Sequence, residues 1–194
     1  MVFNTLKISG MIYVKVEKDY HGINKQLQKE HHIEINMLEN QTLGFTAGNF
    51  DLLHPGYIIT FEEAKRHCDK FYIFLQKDPS LTRFSKYKPV IPLYDRYKAL
   101  MSIKYIDEVF VYQTEEELYS LIKFYKPDIR ILGEDYIGKP FTGDDLPPKV
   151  VYTSRSHEWS TTKLKDLIAK QTVTQNPKIL EELGFKVKTN TNKK

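Results

Sequence analysis

The chain has 194 residues, enough for one domain with a substantial core and modest extensions. Hydrophobic residues make up 41% and charged residues 28%, a balance typical of a globular protein. The net charge of +4 suits nucleic acid, a membrane surface or an anionic small molecule about equally. The single cysteine, Cys68, excludes an intrachain disulfide and argues against a structural zinc site.

The chain carries no signal for export or membrane insertion. No apolar run approaches the roughly 20 residues that span a bilayer, and no signal peptide is evident at the N-terminus. One cysteine in the whole chain fits a reducing compartment. We therefore expect a cytoplasmic protein without a membrane partner.

Strand and helix patterns alternate through the middle of the chain. β-branched and aromatic residues predict strands at 43–46, 71–75, 108–112, 128–132 and 149–153. Between and after them, helical patterns begin near Ile58, span 93–103 and 115–124, and begin again at Ser160. This alternation predicts an α/β fold, a Rossmann-like parallel five-stranded sheet flanked by helices.

The two ends of the chain lie outside this pattern. Residues 1–40 contain the alternating run 11–16, which predicts a strand or hairpin arm, followed by a polar segment. We interpret them as a short N-terminal extension that packs on the main domain or on another subunit. Residues 41–170 form the predicted main domain, and 171–194 a short helix at 177–183 with a basic tail.

A glycine-rich turn with a histidine follows the first strand of the main domain. It runs Gly48-Asn49-Phe50-Asp51-Leu52-Leu53-His54-Pro55-Gly56-Tyr57 and leads into a helix. Ligands of parallel sheets bind at the carboxyl ends of the strands, and a helix N-terminus attracts phosphate. For an isolated histidine, a capping role would be the commoner explanation. In this turn, His54 is instead the leading candidate for contact with a phosphate.

A hydroxyl-rich helix start follows the fifth strand. Ser160 is a good N-cap, and Thr161 and Thr162 add hydroxyls to the first turn. Capping alone would explain an isolated Ser-Thr-Thr. Because Arg155 lies just upstream, the hydroxyls, the backbone N–H groups and a guanidinium together predict a polyphosphate cradle.

Two further clusters follow other strands. The first is basic, and a solvated surface is the default interpretation of such a run; its members are Lys77, Arg83, Lys86, Lys88 and Arg96. The second is Gly133-Glu134-Asp135-Tyr136, directly after the fourth strand. An acidic pair with an aromatic ring could contact a base or a metal, or form a surface turn.

Taken in chain order, the four clusters resemble the cytidylyltransferase-like branch of the nucleotidyltransferase superfamily, especially glycerol-3-phosphate cytidylyltransferase. The resemblance runs from about Gly44 to Ile168. It implies transfer of a nucleotidyl group from CTP, or another nucleoside triphosphate, to a phosphorylated small-molecule acceptor, with release of pyrophosphate. It also implies Mg²⁺ as a cofactor, brought with the triphosphate, and a homodimer.

The resemblance also implies roles for individual residues. The catalytic residues would be His54 at the α-phosphate, Lys86 and Lys88 at the acceptor, and Arg155 beside the β,γ-phosphates. The nucleotide-binding residues would be Thr46, Gly48, Asn49, Phe50, Gly56, Tyr57, Arg96, Gly133, Glu134, Asp135, Tyr136, Ser160, Thr161 and Thr162. No direct protein ligand for the metal is expected except Asp51, which could reach it through the triphosphate.

One residue departs from the family pattern. The family has His-x-Gly-His, and here Tyr57 replaces the second histidine. A phenol with a reference pKa of about 10 donates one hydrogen bond but stays neutral at pH 7. An alternative is therefore a nucleotide-binding protein of the same fold that has lost turnover. A third interpretation, nucleic-acid binding through basic and aromatic residues, is disfavoured because most aromatics lie in predicted strands and helices.

Overall fold

We describe the fold from a computed structural model, which covers residues 4–8, 11–15, 41–154, 156–176, 178–182 and 184. The strands are β1 (Asn4–Ile8), β2 (Met11–Lys15), β3 (Leu43–Gly48), β4 (Lys70–Gln76), β5 (Glu108–Tyr112), β6 (Ile129–Gly133) and β7 (Lys149–Thr153). The helices are α1 (Pro55–Lys65), α2 (Leu93–Met101), α3 (Glu115–Tyr125), α4 (Thr161–Gln175) and α5 (Lys178–Glu182). Short 3₁₀ turns occur at Pro79–Leu81 and Glu134–Tyr136.

All seven strands belong to one sheet in the order β1-β2-β5-β4-β3-β6-β7. The pairs β4–β5, β3–β4, β3–β6 and β6–β7 are all parallel. The predicted five-stranded parallel sheet is therefore confirmed. From β3 the chain moves outward through β4 and β5, and then returns to the other side of β3 for β6 and β7. The order thus reverses between β3 and β6, and such a switch point is where sheets of this kind bind ligands.

The N-terminal strands lengthen the sheet beyond β5. β1 and β2 form an antiparallel hairpin, and Val14 of β2 pairs antiparallel with Val111 of β5. The strand predicted in the run 11–16 is thus present as one arm of a hairpin on the main domain. The polar segment 16–40 and the basic tail from 185 onward lie outside the described residues.

The core has two layers because alternate residues of a strand point to opposite faces. On one face, Phe71, Ile73 and Leu75 of β4 pack in the same cluster as Phe61 of α1 and Leu100 of α2. On the other face, the cluster contains alternate residues of β4 and the buried face of α3; its members include Tyr72, Phe74, Leu118, Leu121 and Ile122.

Local signals explain where two helices begin. The Thr114 side chain accepts a hydrogen bond from the backbone N–H of Glu117 at 3.2 Å, and three glutamates occupy the first turn of α3. Negative charge there is favourable because it opposes the helix dipole. Ser160 caps α4 in the same way, accepting from the N–H of Lys163 at 3.1 Å. The predicted N-cap role of Ser160 is confirmed.

Candidate functional site

The turn between β3 and α1 is built into the core. Phe50 has a φ of 45°, a left-handed conformation that non-glycine residues adopt rarely. Its ring is buried and lies 5.2 Å from the Tyr57 ring and 5.7 Å from the Phe61 ring, centroid to centroid. Gly48 lies close to the same ring, since a Cβ there would be 3.3 Å from two Phe50 ring atoms. Phe50 therefore anchors the turn rather than presenting its ring to solvent.

Asp51 is fully buried and neutralised by a lysine that sequence reasoning missed. One carboxylate oxygen accepts from the backbone N–H of Ile91 at 2.9 Å, and the other pairs with Nζ of Lys165 at 2.6 Å. Lys165 lies on the second turn of α4, and nothing in its local sequence distinguishes it from the other lysines there. With both oxygens engaged, Asp51 in this structure has a structural role, and its contact with a triphosphate-bound metal stays a prediction.

Arg96 connects three loops at the same end of the sheet. Its guanidinium is buried and donates to the carbonyl oxygens of Asn49 and Gln76, at 2.6 and 2.9 Å, and of Ile91 and Lys77, at 2.9 and 2.5 Å. Burial lowers the pKa of Arg96, while Asp51 and Asp78 oppose that shift. Arg96 thus holds the turn after β3 against the end of β4. Its predicted contact with a nucleotide stays a prediction.

His54 lies within a stack of aromatic rings that joins α1 to the loop before α4. The imidazole is buried, and its centroid is 4.3 Å from the Tyr57 ring and 6.3 Å from the Trp159 ring, with interplanar angles below 20° in both cases. Tyr57 in turn stacks on Phe61 at 6.0 Å. His54 is the N-cap residue of α1, but its side chain makes no capping hydrogen bond. The capping interpretation is therefore wrong for the imidazole.

Gly56 allows the two loops to meet. A Cβ at this position would lie 2.6 Å from Cε1 of His157 and 2.9 Å from Cβ of Trp159. Both distances are shorter than atoms tolerate, so only glycine fits without a shift of the loop. Between these residues, Glu158 has a φ of 57°, again in the left-handed region. The glycine of the turn thus permits the loop before α4 to pack directly on the first turn of α1.

The start of α4 reaches the same place. The Tyr57 hydroxyl lies 3.3 Å from the Thr161 hydroxyl, which connects the first turns of α1 and α4. Ser160 and Thr162 lie on either side of Thr161 in the sequence. The structure therefore brings together the two sequence motifs that predicted a polyphosphate cradle. Arg155, the predicted catalytic guanidinium, lies outside the described residues.

The basic loop after β4 is exposed. Lys86 and Lys88 are both exposed, as is the neighbouring ring of Phe84. Arg83 is anchored by a hydrogen bond from its Nη2 to the side-chain oxygen of Gln76 at 2.9 Å. Within the described residues, neither lysine side chain makes a hydrogen bond or an ion pair, and their role at the acceptor stays a prediction.

The turn after β6 is next to β7. Gly133 ends β6 beside Thr153, and Glu134, Asp135 and Tyr136 form a single 3₁₀ turn. The two carboxylates are exposed and Tyr136 is half-buried. At the central strand, the Thr46 hydroxyl donates to the carbonyl of Ile131 at 2.9 Å, which ties β3 to β6. The contacts of these residues with a base or ribose stay predictions.

The protein's own side chains offer little for a metal ion. Within the described ranges, no group of three or more His, Cys, Asp or Glu side chains has the proximity that metal binding requires. Asp51 is the nearest carboxylate to the turn, and both its oxygens are engaged. The Mg²⁺ ion implied by the resemblance, and its binding through the triphosphate, stay predictions.

Comparison with known proteins decides the family. The model of the family described as cytidylyltransferase-like matches residues 45–170, which include the turn, the stack and the start of α4. The chain belongs to the cytidylyltransferase-like family. Segments of the chain are also similar to relatives named "Bifunctional protein HldE". In the relative from Gluconacetobacter diazotrophicus, 105 residues are 34% identical, covering 54% of this chain and 22% of the relative.

A second relative and a solved structure agree with this family assignment. The HldE of a Nitratiruptor species is 32% identical over 139 residues, which is 71% of this chain and 28% of the relative. The chain thus spans under a third of the length of these curated relatives. A lipopolysaccharide core biosynthesis protein from Thermoplasma volcanium superposes with a TM-score of 0.50 at 23% identity, over 59% of this chain and 98% of that one. That superposition supports the fold alone.

None of the helices in the described part of the chain has the length and hydropathy that crossing a bilayer requires.

Proposed function

We propose that this cytidylyltransferase-like protein transfers CMP from CTP to a phosphorylated small molecule, such as glycerol 3-phosphate or a sugar phosphate, and releases pyrophosphate. The observation that carries the proposal is the contact between the two phosphate-binding motifs. Trp159 stacks on His54 and Thr161 lies 3.3 Å from Tyr57, hydroxyl to hydroxyl, so the starts of α1 and α4 lie next to each other. Two helix N-termini directed at one place favour a polyanion.

The proposed chemistry is a single in-line displacement. An oxygen of the acceptor phosphate attacks the α-phosphorus, the new P–O bond forms, and the bond from the α-phosphorus to the bridging oxygen of pyrophosphate breaks. Catalysis of this kind is largely positioning and charge stabilisation. When bound, Mg²⁺ neutralises charge on the triphosphate.

In this proposal the two motifs divide the triphosphate between them. His54 binds the α-phosphate oxygens and stabilises the five-coordinate phosphorus. The N–H groups and hydroxyls at the start of α4 bind the β- and γ-phosphates, with Arg155 alongside. The packing of the buried His54 imidazole against the Tyr57 and Trp159 rings supports this role, because a preorganised donor needs no reordering as the reaction proceeds.

The acceptor is proposed from the charge of the loop after β4. Lys86 and Lys88 are exposed cations on a loop that follows the carboxyl end of a strand, the side on which ligands bind. Long, exposed ammonium groups suit the phosphate of a small molecule better than a quaternary amine, which prefers an aromatic cage. The base would contact Glu134, Asp135 and Tyr136 in the turn after β6.

A pyrophosphate-release screen tests the proposal. CTP, ATP, GTP and UTP would each be offered with Mg²⁺ and a panel of glycerol, alditol and sugar phosphates. We expect CTP to give the highest rate, and His54→Ala to reduce it by about 10²- to 10³-fold, the loss typical of one oxyanion donor. His67→Ala, which removes an exposed imidazole beyond the end of α1, is the matched control. A higher rate with ATP would reassign the nucleotide, and no turnover with any pair would refute the transferase activity proposed here.

The second candidate, a nucleotide-binding protein without turnover, is favoured by one observation. Tyr57 replaces a histidine, and its hydroxyl contacts Thr161. Calorimetry separates the two: CTP binding without pyrophosphate release from any acceptor would favour the binding protein. Tyr57→His is then the informative variant, because it should restore turnover if the tyrosine alone has abolished it.

The predicted homodimer stays a proposal. The hairpin of β1 and β2 forms one end of the sheet, and an edge strand is able to pair with a strand of a second copy. Sedimentation velocity on the full chain and on a chain beginning at residue 41 would test it. We expect a dimer for the full chain, and a monomer at all concentrations would exclude it.

A further inference from the structure

His157 is a histidine in the loop before α4 whose ring has a defined hydrogen-bond pattern. Its Nδ1 accepts from the backbone N–H of Trp159 at 3.1 Å. A neutral imidazole has one donor and one acceptor nitrogen, so an accepting Nδ1 places the proton on Nε2. Nε2 of His157 is therefore a hydrogen-bond donor.

That donor is buried and unsatisfied in the part of the chain that the structure describes. Nε2 of His157 is out of contact with solvent and has no hydrogen-bond partner there. Buried donors without an acceptor are rare because the lost bond to water is not replaced. Such a group at a ligand site indicates that a ligand supplies the missing acceptor.

The ring lies against the start of α1. Cε1 and Nδ1 of His157 would be 2.6 and 3.1 Å from a Cβ on Gly56, which is two residues after His54. In the same loop, Trp159 stacks on His54. His157 is thus on the side of the site where the N-terminus of α1 favours negative charge.

We propose that His157 supplies the second imidazole of the phosphate site and donates from Nε2 to a phosphate oxygen of the nucleotide. This inference rests on the proposed function. In the pattern His-x-Gly-His, both imidazoles come from the same turn, and Tyr57 removes one of them. Here the second comes from the opposite loop, next to the glycine of that same pattern. Tyr57 connects α1 to α4 through Thr161 and leaves the phosphate contact to His157.

The first test measures binding of phosphate-bearing and phosphate-free ligands. Pyrophosphate, CTP and cytidine would be titrated by calorimetry into wild type, His157→Ala and His157→Gln. Hydrogen bonds to charged groups are worth about 10- to 100-fold in affinity. We expect His157→Ala to weaken the binding of CTP and pyrophosphate by that factor and to leave the affinity for cytidine unchanged. His157→Gln, whose amide N–H lies near the position of Nε2, should retain part of the affinity. His67→Ala controls for the loss of an imidazole elsewhere.

The second test is rescue by the lost histidine. If His157 replaces the second imidazole, Tyr57→His should recover much of the turnover lost in His157→Ala. A purely structural His157 predicts a different pattern: a lower melting temperature, equal losses for cytidine and CTP, and no rescue. That pattern, or unchanged CTP affinity in His157→Ala, would overturn the inference.

The failure of this inference is distinct from failure of the proposed function. Wild type that binds and converts a nucleoside triphosphate, with His157→Ala behaving identically, overturns only the role of His157. Wild type that binds no nucleoside triphosphate or pyrophosphate overturns both.

Discussion

The turn before α1 and the loop before α4 meet at one site, but they are supported in different ways. Phe50 and Asp51 in the first are buried, and α1 buries Gly56, Phe61 and Ala64. The described residues of α4 include no buried side chain. The first half of the site, which is the turn before α1 with α1 itself, is therefore held by the core. The second half, which is the loop before α4 with α4 itself (the α4 half), depends on a few specific contacts with the first.

Among the described residues, three contacts attach the α4 half. They are the ion pair of Lys165 with Asp51, the hydroxyl contact of Thr161 with Tyr57, and the packing of the 157–159 loop on His54 and Gly56. Each joins a residue of the second half to a residue of the first. Substitutions at these contacts should therefore change the geometry of the candidate site without unfolding the sheet.

The ion pair should give the largest effect on stability. Lys165→Met leaves the fully buried Asp51 carboxylate without its counter-ion, and breaking such a pair costs about 3–5 kcal/mol. Because the Lys165 side chain is 28% exposed, water can partly replace the lost ammonium group. We therefore expect the free energy of unfolding, measured in urea, to fall by about 3 kcal/mol, the lower end of that range. The control is Lys163→Met, an exposed lysine on the same helix. Equal midpoints for the two variants would mean that the pair contributes nothing.

A methyl group at Gly56 should separate the two halves. In Gly56→Ala the new Cβ would overlap Cε1 of His157 and Cβ of Trp159. Overpacking typically costs about 1–3 kcal/mol, although alanine by itself favours a helix. We expect a destabilised protein that binds CTP more weakly. In a His157→Ala background, the same substitution should lower the free energy of unfolding by less, because the clashing imidazole is gone. Stabilisation by Gly56→Ala alone would show that the loop moves freely.

The hydroxyl contact should have a smaller effect. Tyr57→Phe keeps the ring stack and removes only the hydroxyl that lies 3.3 Å from Thr161. A net hydrogen bond is worth about 0.5–1.5 kcal/mol, and this separation suggests the lower end. We expect a small loss in chemical denaturation. The double variant with Thr161→Val measures the coupling, and additive losses would mean that the two hydroxyls do not interact.

Cys68, just beyond the C-terminal end of α1, gives the prediction with the smallest expected effect. It tests how tightly the first half is packed. Burial raises the pKa of the Cys68 thiol to about 11, and the Sγ would lie 2.6 Å from a Cβ on Gly44. The unfolded thiol titrates near 8.5, so the native state holds more protons between that pH and about 11. Stability should therefore fall as pH rises through this window. Cys68→Ala should lose this part of the slope, and identical pH profiles would contradict the raised pKa.

Much of the architecture was predictable because it depends on local patterns. The strands predicted at 108–112 and 149–153 coincide with β5 and β7, and the other three differ from β3, β4 and β6 by one or two residues at their ends. Periodicity specifies which face of each element is apolar, and the right-handed crossover then limits the order of parallel strands. Ser160 was recognisable as a cap because its role involves only the next few residues.

The candidate site was predictable only in part. His54 and the Ser160–Thr162 start stand out because turn and capping residues recur in recognisable patterns. Lys165 did not stand out, and His157 and Trp159 lie in the cluster 155–162 without a predicted role, since a lysine on a helix or an aromatic in a loop has no local mark of its partner. Arg96 was predicted to bind nucleotide, and the structure shows that its guanidinium holds backbone carbonyls.

The sequence by itself determined the class of fold, the position of the glycine-rich turn before α1 and the substitution at Tyr57, because these depend on residues close together in the chain. Only the tertiary structure decided which groups face each other. Asp51 and Lys165 are far apart in the chain, as are His54 and Trp159, and both pairs meet because the sheet reverses its order between β3 and β6. The same reversal brings His157 onto Gly56, the contact on which the proposed second imidazole depends.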